Sequence, residues 1–86
     1  MDTFEKPKML FCFGALDEIE GKLGINLRNI KKEDEEKMNF DTYRQMSAIA
    51  IRWATGNKID ESAAQELSAF IEMSDIAKAI KASSGA

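Results

Sequence analysis

A small chain that catalyses a reaction needs a nucleophile with a base beside it, a metal-ligand cluster, a glycine loop for phosphate, or carboxylates with split pKa values. The 86-residue sequence carries one cysteine, Cys12, and no histidine. A thiol nucleophile draws on an adjacent base, and imidazole is not on offer here. Histidine-based metal sites and His-assisted hydroxyl nucleophiles are excluded on the same ground. The glycines stand singly at positions 14, 21, 24, 56 and 85, so no phosphate-cradling loop is present. Carboxylate pairs occur at Asp17 with Glu20 and at Glu33 with Glu36. Both lie in stretches rich in solvated charge, and acid–base work would require a cleft that shifts one pKa. The stretch from Asp34 to Asp41 lacks the spaced ligands and central glycine of a calcium loop. These observations point to a non-enzymatic protein with no catalytic residue, metal or cofactor, whose work is binding.

The elements that must position binding residues are few. A chain of this length forms one domain, and its stability is marginal because a small core buries little surface. A lone cysteine argues for a reducing compartment and against a disulfide-stapled scaffold. Cys12 sits in the apolar run from Met9 to Phe13 and reads first as a small buried hydrophobe. Net charge is -3, which speaks against a nucleic-acid grip. No stretch has the length of a transmembrane helix, and no signal peptide opens the chain. The expectation is a cytoplasmic protein with no membrane, nucleic-acid or small-molecule partner.

Periodicity predicts an all-α fold: three main helices, one or two short ones, and a short N-terminal strand as one option for residues 9–13. Residues 1–8, with Pro7, read as a flexible arm, residues 9–82 as the domain, and residues 83–86 as a disordered tail. Leu16, Ile19 and Leu23 share a face of a first helix from Gly14 to Leu23, stopped by Gly24. Asp17, Glu18 and Glu20 are placed near its N-terminus, and Gly21 reads as a mark of close contact. Asn26 is expected to cap a single turn that turns Leu27 and Ile30 inward. The charged run Lys31–Lys37 reads as a solvated loop or fraying helix start, with an acidic recognition patch as the alternative. Phe40, Tyr43, Met46, Ile49, Ala50 and Trp53 define the face of a helix over about residues 40–55, capped by Asn39 or Asp41. Asp60, or Ser62 with Gln65, caps a helix to about Glu72 with Ala63, Leu67, Phe70 and Ile71 inward. A break near Met73–Ser74 introduces a last helix, Asp75 to Ala82, capped by Ser74; the alternative is one continuous helix, since the apolar phase nearly continues through Met73.

Methionine and aromatic side chains give adaptable apolar contacts. Met9, Phe11, Phe13, Met38, Phe40, Met46, Trp53 and Met73 are the candidate partner-binding residues, and such side chains read first as core and second as groove. Trp53 in particular reads as a core anchor whose indole N–H reaches a partner, or as a binding hot spot.

The segment from Leu10 to Leu27, Leu-Phe-Cys-Phe-Gly-Ala-Leu-Asp-Glu-Ile-Glu-Gly-Lys-Leu-Gly-Ile-Asn-Leu, resembles the signature of tail assembly chaperones of long-tailed bacteriophages and gene transfer agents. In that family an apolar entry leads into an Ala-Leu-x-Glu-[Ile/Leu]-Glu helix closed by Leu-Gly. A turn follows with two apolar residues, here Leu27 and Ile30. Next comes a helix ending near glycine, here Met46 to Gly56, then one opened by Asp60-Glu61-Ser62, then a short last helix. The order of elements covers about residues 9–82. Many relatives open with a two-stranded hairpin, which the eight residues before Met9, with Pro7 among them, reduce or lack.

The resemblance implies a chaperone that binds helical segments of the tape measure protein and helps recruit tail tube subunits, with self-association open. It also implies action in the cytoplasm of an infected bacterial host and absence from the mature virion. This chain would correspond to the shorter of the two forms that a ribosomal frameshift produces in many phages. The alternative is a small helical adaptor or regulatory protein. In a DNA-binding version Arg44, Arg52, Lys78 and Lys81 would share one face.

Overall fold

A computed structural model describes residues 5–84 of the chain. The fold is all-α, with α1 at Phe13–Leu23, α2 at Lys32–Lys37, α3 at Phe40–Ala54, α4 at Glu61–Ser68 and α5 at Met73–Ser84. No strand occurs among the described residues. Residues 5–12 run extended across the helices, and the Leu10 N–H donates to the Ala50 carbonyl of α3 at 3.0 Å. This pairing replaces a strand partner and seats Phe11 in the core. Residues 1–4 of the expected arm and residues 85–86 of the expected tail lie outside the described residues. Ser83 and Ser84 continue α5.

The central element is α3, in which every residue from Met46 to Ile51 is buried. A helix hidden all round must have neighbours on both sides. Met46, Ile49 and Ala50 pack with Phe11, Ala15, Ile19 and Ile76, joining α3 to the N-terminal segment, α1 and α5. Ala48 and Ile51 pack with Ala64 of α4, with Ile59 and Leu67 beside them. Alanines at 15, 48, 50 and 64 let the helix axes approach. Burying an isoleucine such as Ile19 or Ile51 contributes about 1.5–3 kcal/mol. Ser47, buried within this run, donates its hydroxyl to the Tyr43 carbonyl at 2.8 Å and so leaves no orphaned polar atom.

The helix ends follow capping chemistry. Asn39 accepts from the Thr42 N–H at 2.9 Å and Asp60 accepts from the Ala63 N–H at 2.7 Å. Gly24, at φ 70°, closes α1 by returning its N–H to the Glu20 carbonyl, and Ile25 tucks into the interior behind it. The charged run forms α2, because Glu33, Asp34 and Glu35 occupy its first turn and Lys37 its last, matching the helix dipole. Asp34 reaches back to the Lys31 N–H at 3.0 Å.

Several expectations are corrected. Helix α1 begins at Phe13, which leaves its first turn without an acid. Asn26 does make a turn, accepting from the Arg28 N–H at 3.0 Å, but Ile30 is exposed while Leu27 is half-buried. Gly21 has open space around it and marks no contact. Phe40 and Phe70 face outward. Helix α4 stops at Ser68, earlier than the apolar phase implied, and α5 starts at Met73. The break falls at residues 69–72 because Asp75 reaches back to the Glu72 N–H at 2.9 Å, making Glu72 rather than Ser74 the cap residue.

Candidate functional site

The eight candidate residues divide by position. Phe11 and Met46 are buried core residues, Phe11 at the edge of the core and Met46 at its centre. Met9, Met38 and Trp53 are half-buried and pack against the core around Met46. Phe13, Phe40 and Met73 are exposed, Phe13 at 74% and Phe40 at 81%. Their wide exposure matters because a large aromatic left in water gains most from a partner that covers it.

These exposed residues do not form one patch. Phe13 stands on a groove of about 660 Å³ lined by Phe11, Cys12, Phe13, Leu16, Leu27, Arg28 and Ile80. The groove exists because α1 turns back through Gly24 to bring Leu27 beside Leu16, while α5 brings Ile80 to the opposite wall. Arg28 lies with its guanidinium carbon 5.8 Å from the centre of the Phe13 ring and pairs with Asp17 at 3.8 Å. It is the one charged side chain in the lining. Phe40 and Met73 instead border a second groove of about 370 Å³ between the start of α3 and the α4–α5 turn, with Tyr43, Ile71 and Ile76 in its wall.

The strongest electrostatic feature sits elsewhere. Glu18 on α1 accepts from the Trp53 indole N–H at 2.9 Å, from Lys22 at 2.9 Å, and from Arg52. Partial burial pushes the Glu18 carboxyl upward, but the hydrogen bonds from Lys22, Trp53 and Arg52 outweigh it and hold the group at about 2. Lys22 is raised in turn by its bond to Glu18, and it also reaches Glu61 on α4 at 3.3 Å. Arg52 spends a second N–H on Asn57 at 2.8 Å. This cluster ties α1 to α3 and α4. A carboxyl held this far down stays ionised at neutral pH and has no proton to give as an acid.

Trp53 therefore reaches an internal partner, as a core anchor does. Its ring packs against Gly14, where an added Cβ would come within 3.0 Å of three ring atoms. The Phe-Gly pair at positions 13 and 14 could have signalled this seat, since a glycine in a first helical turn often admits a neighbour's bulk.

The carboxylate pairs stay in solvent, with Asp17, Glu20, Glu33 and Glu36 exposed. No group of three or more potential metal ligands occurs among the described residues. Arg44 is committed to Ser68 at 3.3 Å and to the Gln65 carbonyl at 2.9 Å, and so, like Arg52, works inside the fold. None of the described helices is long and apolar enough to cross a membrane. No family model matches the chain, and comparison with curated proteins and with solved structures found no match.

The residues that sequence reasoning missed are Leu16, Leu27, Arg28 and Ile80. Leu16, Leu27 and Ile80 follow an inward periodicity and read as core, while Arg28 reads as surface. Only the return of the chain after Gly24 makes them neighbours.

Proposed function

We propose that this protein is a non-enzymatic tail assembly chaperone that binds amphipathic helical segments of a tape measure protein and helps bring tail tube subunits to it. One observation carries the reading. Apart from Arg28 and Ile80, every residue lining the larger groove comes from residues 10–27, the segment whose sequence resembles that family. A holdase needs an apolar surface that accepts varied helices, and an apolar groove rimmed by an exposed phenylalanine has that character. The protein acts in the cytoplasm of an infected bacterial host and does not remain in the virion.

The test is co-expression with the tape measure protein encoded in the same genome, followed by pull-down and solubility scoring. The chaperone reading expects the long partner to become soluble and to co-purify. An insoluble partner with nothing retained would contradict it.

A further inference from the structure

The last helix buries few of its described side chains. Among the described side chains of α5, only Ile76 is buried. Ala79 and Ile80 are half-buried, and Met73, Ser74, Ala77 and Lys78 are exposed. Met73, Ile76 and Ile80 fall at i, i+3 and i+7, a single apolar stripe. Ile76 and Ile80 of that stripe, with Ala79 beside them, lie on the face built by Phe11, Ala15, Ile19, Met46, Ile49 and Ala50, and Met73 extends past its edge.

The face is wider than α5. At the Met73 end a groove of about 370 Å³ opens beside the helix. At the Ile80 end the groove is about 660 Å³. Residues 69–72 separate α5 from α4 as a turn, in which the Ile71 N–H bonds the Ser68 carbonyl at 3.1 Å, so α4 and α5 are not one continuous helix. Its N-terminal end is tied by Lys6, which pairs with Asp75 at 2.9 Å and Glu72 at 3.0 Å. Both pairs face solvent, where salt screens them.

We infer that α5 is an internal placeholder, and that the face beneath it receives an amphipathic helix of the partner, which takes the place of α5. The identity of that partner rests on the proposed function, while the existence of the receiving face does not. The seated helix specifies its replacement. The occupant carries apolar residues at i, i+3 or i+4, and i+7, as α5 does. It carries an acid in its first turn to meet Lys6, as Asp75 does. Bulkier side chains toward its C-terminal end would occupy the volume that Ile80 leaves beside Phe13 and Leu27. Because α5 is tethered, it competes at a high effective concentration, and only a helix that fills the face better displaces it.

The experiment uses the full chain and a fluorescein-labelled peptide of residues 72–84, read by fluorescence anisotropy. The native chain should bind the peptide weakly, because its own α5 is in place. An Ile76→Asp chain should release α5 and bind the native-sequence peptide at least about tenfold tighter. A peptide carrying Ile76→Asp should not bind either chain. Absence of peptide binding to the Ile76→Asp chain, with cooperative melting and native Trp53 emission retained, would overturn the inference. If Ile76→Asp unfolds the chain, amide hydrogen exchange on the native protein decides. Exchange over residues 73–84 through local opening, faster than in α1 and α3, supports the placeholder, and equal rates in all three overturn it. Neither measurement needs the tape measure protein, so a failed co-expression leaves this inference standing. Conversely, a tape measure complex in which residues 73–84 become more protected would overturn the inference and leave the chaperone reading intact.

Discussion

Replacing Glu18 by glutamine tests whether the carboxylate cluster holds the helices together. In the native chain Glu18 takes hydrogen bonds from Trp53, Lys22 and Arg52, with its side chain 16% exposed and that of Arg52 19% exposed. A carboxyl moved from 4.5 to about 2 by folding corresponds to about 3 kcal/mol of stability at neutral pH. Lys22 is half-exposed, and solvent screening there reduces the working figure to about 1.5–2 kcal/mol. Glu18→Gln keeps an acceptor for the indole and removes the charge, so it should cost about that amount at pH 7. Urea denaturation followed by Trp53 emission should show a midpoint lowered by about 1.5–2 M, since a chain of this size loses about 1 kcal/mol per molar urea. The pH dependence has a definite sign. The folded carboxyl is depressed, so its contribution is complete above about 4.5 and is lost as pH falls toward 2. The gap between native and variant should therefore shrink by more than half between pH 7 and about pH 2.5. Equal midpoints at pH 7, or a gap that does not close in acid, would refute the assignment of Glu18 as the tie between α1 and α3.

Three further substitutions separate the roles of residues that look alike in sequence. Gly14→Ala should destabilise by about 1–3 kcal/mol in the same urea assay, because the new methyl meets the Trp53 ring. Gly21→Ala should stabilise by about 0.5–1 kcal/mol, because the site is open and alanine favours the helix. Phe40→Ser should leave thermal stability within about 0.5 kcal/mol, whereas Met46→Asp should abolish cooperative melting, since one side chain is in water and the other in the core.

How far the fold could be read from the residues varies by element. The helical class, the long central helix with its Asn39 cap and the Asp60 cap of α4 follow from short-range patterns, in which a few neighbouring residues decide the outcome. The end of α4 was not legible, because the apolar phase continues through Phe70 and Ile71 while Asp75 starts a new cap. Phe40 illustrates a second limit. It shares the helical phase of Tyr43 and Met46, yet it sits at the first turn of α3, beyond the reach of the core. The candidate site was legible only in part, since Phe11, Phe13 and Met46 differ little in type but lie at the core wall, the rim and the centre. Burial depends on where the chain returns, and no local pattern around Leu16 announces Leu27 or Ile80 across the groove. Likewise, the seat of Trp53 on Gly14 is a contact between α1 and α3 that spacing within either helix cannot show.

Co-expression of the native chain and a Phe13→Asp variant with the tape measure protein of the same genome tests the binding role of the groove most directly. Phe13 is largely in water, so the variant should fold and melt as the native chain does. The native chain should keep the tape measure protein soluble and co-purify with it, and Phe13→Asp should lose most of the bound partner. Retention of the partner by the variant at native levels would contradict the assignment of the groove. Failure of the native chain to retain it at all would contradict the chaperone function.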